Sequence, residues 1–222
     1  MTMSFIGADQ TGFGIVIASS SPAVAARCAH LRSGIGAVAT QNVTDPRLGG
    51  VLLDSLGRGM TPKGAIAAVV ESFDNVQFRQ LTALSSHGGA HFTGDKGLGT
   101  NHAVDGDQIV GAGNMLSSSK VIESAVRAFE RSTGELEHRL LDTMKVAVAH
   151  GGEEGPLHSA GLMVTRRDRN WNETDLRIDW SDLDPIADLS ALLDRWMIER
   201  DDYITRAMEP GNAPTYGVPG DL

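Results

Sequence analysis

Apolar runs separated by turn-forming residues predict strands in the first forty positions. Residues 3–8 and residues 13–18 are apolar runs on either side of a polar, glycine-containing stretch at residues 9–12. This arrangement predicts a β-hairpin. The second run does not alternate between polar and apolar residues, so we expect both of its faces to be covered. Residues 34–41 form another continuous run of small apolar residues and predict a central strand.

Apolar positions recur at helical spacing in five later segments. Asp45 before Pro46 and Thr61 before Pro62 are typical of helix starts, because Asp and Thr cap helices and Pro is tolerated in the first turn. The other helices are predicted over residues 118–132, 135–150 and 184–206. The remaining strands are predicted over residues 78–85, 90–93, 108–115, 157–165 and 174–180, with a glycine-rich loop over residues 94–106.

The order of these elements predicts the fold class. The strands come in groups separated by helix pairs, which differs from the strict strand–helix alternation of a doubly wound fold. This order favours an α/β protein of the α+β type, with largely antiparallel sheets covered by helices. We expect one domain over residues 1–208, followed by a loose arm rich in Pro and Gly over residues 209–222.

The composition of the chain argues against some classes of binding partner. The 222 residues are enough for one sizeable core, and their 26 glycines favour closely packed layers. The net charge of -9 and the pI of about 5.2 argue against nucleic acid, because an acidic surface repels phosphate. The chain has neither a signal-like start nor an apolar run of the roughly 18 residues that a membrane span needs. We therefore expect a cytoplasmic protein without a membrane partner, and the single Cys28 excludes an internal disulfide.

The chain lacks the short motifs that hold cofactors or metals. A Walker phosphate loop, HExxH, CxxC and GxSxG are all absent. Gly111 and Gly113 form only a fragment of a dinucleotide fingerprint. His87 and His91 flank a Gly-Gly turn and have no supporting ligands nearby in the sequence. We therefore expect no cofactor and no metal.

Five blocks of the sequence resemble one bacterial family. That family is known only as a domain of unknown function and is grouped with the N-terminal-nucleophile (Ntn) hydrolases. The resemblance extends to about Leu193, and it implies a four-layer αββα sandwich and an amide-bond hydrolase. The blocks are residues 2–6 (TMSFI), 34–41 (GIGAVATQ), 79–81 (RQL), 113–116 (GNML) and 159–164 (SAGLMV).

The resemblance implies a nucleophile at the start of the mature chain. In this group a Thr, Ser or Cys attacks the substrate, and its free α-amine, with a reference pKa of about 7.7–8.0, takes the hydroxyl proton. Thr2 meets this requirement once Met1 is removed. Ser4 is the alternative nucleophile, since it lies on the same face of the predicted strand. As an internal residue it would need a separate base, such as His158 or His30.

Polar residues near strand ends are the candidates for substrate binding. Side-chain amides at such positions can donate to an oxyanion or to a substrate carbonyl. Many members of the family carry a Lys near position 20, where this chain has Ser20, so support from that positive charge would be missing here. The candidates are Ser19, Ser20, Gln41, Asn42, Asn114, His158 and Ser159.

Two kinds of function stay open. The first is a hydrolase that acts on a small amide, peptide or cyclic amide through Thr2 or Ser4. The second is a catalytically silent relative that binds a small ligand in the same cleft, or a structural or interaction protein. In either case the many small residues suit close packing between two copies, and we expect a homodimer.

Overall fold

A computed structural model describes residues 1–220, which form ten strands and six α-helices. The strands are β1 (Thr2–Ala8), β2 (Gly12–Ser19), β3 (Ala29–Arg32), β4 (Gly36–Asn42), β5 (Arg79–Ser85), β6 (Gly88–Thr93), β7 (His102–Gly106), β8 (Ile109–Asn114), β9 (Ser159–Arg166) and β10 (Asn172–Ile178). The helices are α1 (Val24–Cys28), α2 (Arg47–Gly57), α3 (Pro62–Ser72), α4 (Lys120–Arg131), α5 (Leu136–Ala149) and α6 (Pro185–Met208).

The strands form two sheets. The larger sheet has six strands in the order β10-β9-β2-β1-β8-β7, and the smaller has four in the order β3-β4-β5-β6. Every pairing between these strands is antiparallel. The predicted hairpin at the start of the chain is confirmed, because β1 and β2 pair along their length from Thr2 opposite Ser19 to Ala8 opposite Phe13. β1 and β2 therefore lie in the middle of the larger sheet.

Three apolar clusters define four layers. One lies between the larger sheet and α4, α5 and α6, and it includes Met3 and Phe5 of β1. A second lies between the two sheets and includes Ile6 of β1 and Leu84 of β5. The third lies between the smaller sheet and the helices α2 and α3. The layer order is helix, sheet, sheet, helix, which confirms the predicted αββα sandwich.

Glycines in the central strands let the helices approach the larger sheet closely. A Cβ built on Gly7 of β1 would lie 2.6 Å from the Phe129 ring of α4. One built on Gly14 of β2 would lie 2.5 Å from Leu140 of α5. Both distances are too short for a side chain, so a larger residue at either position would require the Phe129 ring or the Leu140 side chain to shift.

The prediction of a loop over residues 94–106 is partly wrong, because β7 occupies its last five residues. α1 and β3 were also not predicted. β3 and β7 are edge strands, each with a single neighbour in its sheet. Edge strands are covered less than central ones, so their sequences carry less of the apolar pattern on which the prediction depends.

A buried ionic network joins α5 to the end of the larger sheet. The carboxylate of Glu137 is fully buried and lies 3.1 Å from a guanidinium nitrogen of Arg166 and 3.4 Å from one of Arg200. Arg166 also bonds Glu173, whose side chain is 3% exposed. These carboxylates are thus buried together with cations.

The last helix ends at Met208, where the predicted domain boundary falls. The division into a domain and an arm stays a prediction, and residues 221–222 of that arm lie outside the described residues. Within the described chain, no helix combines the length and the apolar character that crossing a bilayer requires.

Candidate functional site

The first strand places Thr2 inside the molecule. Thr2 lies opposite Ser19 of β2 on one side and opposite Asn114 of β8 on the other. Only 6% of its surface is exposed. Because alternate strand residues share a face and Ile6 packs between the sheets, Thr2 and Ser4 also face the smaller sheet. The start of the chain is therefore part of the inter-sheet layer.

Polar side chains surround Thr2 in this layer, whereas the rest of the layer is apolar. The same alternation turns polar residues of β2, β4, β5 and β8 toward the space between the sheets. Each is almost completely buried. We call this set the inter-sheet polar cluster: Thr2, Ser4, Ser19, Gln41, Gln80, Thr82 and Asn114. It brings together five of the residues predicted from the sequence.

Gln80 of β5 connects the two sheets at the cluster. Its Oε1 accepts hydrogen bonds from Nε2 of Gln41 at 2.7 Å and from Nδ2 of Asn114 at 3.4 Å. Its Nε2 donates to the backbone carbonyl of Gly113 at 3.1 Å and to Oγ1 of Thr93 at 3.0 Å. Gln80 therefore orients both predicted amides, and each amide keeps a second N–H that Gln80 does not use.

The carbonyl of Met1 lies against two hydroxyl groups. Thr2 Oγ1 donates to it at 2.6 Å, and Ser19 Oγ donates to it as well. The two hydroxyl oxygens are 3.3 Å apart. The Met1 side chain extends over Gly155, where a Cβ would lie 2.5 Å from the Met1 methyl group. Met1 therefore covers Thr2 and occupies the space directly beside its hydroxyl.

Glu153 is a buried acid next to the start of β1. Its backbone bridges to Leu116, just beyond β8, and its side chain is buried, with the residue only 7% exposed. Neither carboxylate oxygen has a hydrogen-bond partner among residues 1–220. Burial raises the pKa of Glu153 to about 8, although the positive amino terminus and the nearby backbone N–H of Ser20 act in the opposite direction. At neutral pH this carboxyl is therefore largely protonated in the chain that carries Met1.

Three polar atoms of the inter-sheet polar cluster itself also lack partners within the described chain. These are Ser4 Oγ, Gln41 Oε1 and Thr82 Oγ1. Native proteins bond the large majority of their buried polar atoms, so several unpaired atoms in one place mark this end of the inter-sheet layer as unusual.

The other four predicted residues, of which His158 is one, lie outside the cluster. Asn42 donates to the carbonyl of Phe78 at 2.6 Å and accepts from the backbone N–H of Leu98 at 3.1 Å. Ser159 donates to the carbonyl of Ser21 at 2.6 Å. These contacts hold loops in place. The predicted residue Ser20 is half-buried and directly follows β2.

The histidines considered as bases for Ser4 have other contacts. His158 stacks on Trp180 with ring centroids 4.3 Å apart, and its Nδ1 lies 2.8 Å from the carbonyl of Ser181. The ring of His30 packs against Gly49 of α2, and burial lowers the pKa of His30. Neither imidazole bonds Ser4, whose Oγ is fully buried without a partner in the part of the chain that is described.

Sequence reasoning missed Gln80 and Glu153 as site residues. Gln80 and Thr82 are two apart on a mostly apolar strand, a pattern that indicates a polar face. Glu153 and Glu154 are adjacent acids in one loop, and nothing in the sequence separates the buried from the exposed one. Among residues 1–220 no group of three or more His, Cys, Asp or Glu side chains is placed to hold a metal ion.

The layers define a four-layer αββα sandwich, and the start of β1 is buried between its two sheets. The chain belongs to the family of unknown function DUF1028, which matches residues 2–189. This match confirms the family that the five sequence blocks predicted.

Solved structures include a relative from this family. The crystal structure of a Silicibacter pomeroyi protein of DUF1028 is 28% identical, with a TM-score of 0.84, and covers 91% of this chain and 89% of that chain. Anbu (ancestral β-subunit) from Yersinia bercovieri is 12% identical, with a TM-score of 0.43 over 90% of this chain and 96% of that chain. Eukaryotic HslV from Trypanosoma brucei is 13% identical, with a TM-score of 0.44 over 75% and 99% of the two chains. None of the curated proteins matches this chain.

Proposed function

We propose that the protein is an Ntn hydrolase of a small amide, peptide or cyclic amide, with Thr2 as its nucleophile after removal of Met1. The observation that carries this proposal is the place of Thr2, which is buried in the inter-sheet polar cluster with its hydroxyl 3.3 Å from that of Ser19. A threonine with no chemical role at the start of a chain has no need of such surroundings.

The proposed reaction uses groups that this cluster supplies. In a chain that begins at Thr2, the neutral α-amine accepts the hydroxyl proton while Oγ1 attacks the substrate carbonyl carbon. The free N–H groups of Gln41 and Asn114 donate to the oxyanion. The amine then passes the proton to the departing nitrogen, and an ester forms on Thr2. Water hydrolyses this ester, again with the amine as base, and restores the threonine.

Ser4 is the weaker candidate for the nucleophile. It shares a face with Thr2 but lies one step deeper, and it has neither a free amine nor a bonded imidazole. Its fully buried hydroxyl also leaves less room for a substrate than the position under Met1 does.

A specific observation favours a second function if Met1 is retained. Thr2 and Ser19 both donate to the Met1 carbonyl, and the nitrogen of Thr2 is then an amide that cannot act as a base. Such a protein would be a catalytically silent relative that binds a small ligand. The intact mass of protein from its own host decides whether Met1 is present.

The hydrolase is tested with an electrophile that acylates nucleophilic hydroxyls, such as a β-lactone, on chains that begin at Thr2. We expect the label on the N-terminal peptide of the wild type and of Ser4→Ala, and no label on that peptide in Thr2→Ala. Thr11→Ala, the same chemical change in the turn after β1, is the matched control and should label normally. Equal labelling of Thr2→Ala and the wild type at that peptide would refute the role of Thr2.

Turnover is then sought in a library of small amides, peptides and cyclic amides, with products identified by mass spectrometry. A compound that raises the melting temperature but is never cleaved would support the silent, ligand-binding alternative. The homodimer also stays a prediction, which light scattering tests directly.

A further inference from the structure

The loop that carries Glu153 contacts both residues that flank Thr2. A Cβ on Gly152, just before it, would lie 3.6 Å from the Met3 methyl group, and Gly155, two residues after it, lies under the side chain of Met1. The backbone N–H of Ser20 lies close to its carboxylate. Ser20 follows Ser19, which pairs with Thr2. The Glu153 loop therefore runs alongside the start of β1.

Stability does not explain a glutamate at this place. Glu137 is equally buried but bonds Arg166 and Arg200. Glu153 makes no ion pair within residues 1–220, and the nearby backbone N–H of Ser20 does not reach hydrogen-bond geometry with either oxygen, although more than nine-tenths of the residue is buried. A buried polar group without a partner destabilises a fold. Buried groups that destabilise a fold are expected mainly where they have another task.

A positive charge at the start of the chain is the natural partner. The amino terminus is the charged group that acts on Glu153 among the described residues, but with Met1 in place its amine makes no hydrogen bond to the carboxylate. Cleavage of the bond between Met1 and Thr2 removes the side chain that lies over Gly155. It also moves the charged amine one residue inward, into the polar cluster.

We propose that Glu153 is the positioning residue for the α-amine of Thr2. This inference rests on the proposed function, because it requires the chain that begins at Thr2. In that chain the Glu153 carboxylate accepts a hydrogen bond from the α-ammonium group and holds the nitrogen beside Thr2 Oγ1. Each charge then has a partner, and the carboxyl that is unpaired beside Met1 becomes paired.

The test measures how the reactivity of the α-amine depends on pH. Chains that begin at Thr2 are released from a cleavable N-terminal fusion, and acylation of the amine by an amine-reactive ester is followed from pH 5 to pH 10 by the mass of the N-terminal peptide. We expect Glu153→Gln to lower the midpoint of this profile by about one pH unit, which makes acylation at pH 7 up to about tenfold faster. Glu153→Asp should restore part of the shift.

Glu154→Gln is the matched control, since it removes the same charge from the exposed neighbour. An identical midpoint in the wild type, Glu153→Gln and Glu154→Gln would overturn the proposal. Should Glu153→Gln not fold, the wild type is compared with and without Met1 at pH 8. Removal of Met1 should raise its resistance to urea, and an unchanged urea midpoint would equally overturn the pairing.

The two proposals fail in different ways. The amine profile needs no turnover and no substrate, so a shifted midpoint without electrophile labelling of Thr2 would leave the pairing standing and refute the hydrolase. If Thr2 is labelled but the midpoint of the amine profile is the same in Glu153→Gln as in the wild type, the hydrolase would stand and the pairing would be refuted. At a pH above both midpoints, where the amine is neutral in the wild type and in the variants, a positioning role also predicts slower labelling of Thr2 in Glu153→Gln and partial recovery in Glu153→Asp, which loss of stability alone would not produce.

Discussion

Glu153 should make the chain that carries Met1 less stable as the pH rises, and Glu153→Gln should remove this dependence. Burial raises the pKa of Glu153 from its ordinary value of 4.5 to about 8. In the unfolded chain the carboxyl is exposed and its pKa returns to the ordinary value. Between these two pKa values the folded state keeps a proton that the unfolded state has lost, so the free energy of unfolding falls as the pH rises.

The magnitude follows from the same two pKa values. One pH unit over which only the unfolded carboxyl is ionised corresponds to about 1.4 kcal/mol. The contribution of Glu153 is fully present below its ordinary pKa of 4.5, and it is lost as the pH rises toward the folded value of about 8. At pH 7 the loss amounts to about 3 kcal/mol. This is a large part of the roughly 5–15 kcal/mol that stabilises a typical domain.

Urea unfolding at several pH values from 5 to 8 measures the effect. The free energy of unfolding of Glu153→Gln minus that of the wild type should increase with pH, whereas the same difference for the exposed control Glu154→Gln should stay flat. The mass of each sample confirms that Met1 is present. A difference between Glu153→Gln and the wild type that is constant from pH 5 to pH 8 would refute the reasoning. In chains that begin at Thr2 the pairing with the amine should reduce the slope.

Two further substitutions test the buried polar groups on which the fold and the site depend. Gln80→Ala should lower the free energy of unfolding by about 2–3 kcal/mol, because two side-chain amides and one backbone carbonyl lose a buried partner, while the exposed control Gln10→Ala should change it by less than about 0.5 kcal/mol. Glu137→Gln should lower it by about 3 kcal/mol, because two half-buried arginines lose a fully buried carboxylate, and the half-exposed control Glu135→Gln should have a smaller effect. Urea unfolding at pH 7 checks both pairs, and equal effects of a substitution and its control would contradict the corresponding argument.

Most of the fold could be predicted because local patterns determine it. The hairpin of β1 and β2 follows from two apolar runs and a turn, and the start of α3 follows from Thr61, whose side chain accepts from the backbone N–H of Gly64 at 3.2 Å. The elements that escaped prediction are α1, a single short turn of helix, and the edge strands β3 and β7. β3 and β7 each pair only with the strand that follows them, and most of their residues are only partly buried, so the apolar pattern that predicts a strand is weak there.

The site could be predicted only in part, because much of it depends on long-range packing. Thr2 and Ser4 share a face through the alternation of one strand, which the sequence contains. The link between Gln80 and Asn114 depends on how two sheets stack, and Asn114 is 34 residues further along the chain. The burial of Glu153 depends on the course of its loop past Met1 and Leu116. Such long-range placement is decided by packing rather than by any spacing of residue types.

The distribution of polar residues between the sheets indicates that one end of this layer serves function rather than stability. Away from Thr2 the layer is filled by apolar side chains such as Ile6, Ile15 and Val110, which pack without polar atoms. Around Thr2 the inward-facing residues of the same strands carry hydroxyls and amides, and several of these have no partner within residues 1–220. The carboxyl of Glu153, in a nearby loop, has none there either. Apolar residues there would stabilise the sandwich more, because buried polar atoms without partners weaken it. A fold that keeps such groups at one end of one layer, around the first residue of its central strand, has the arrangement expected of a reactive site.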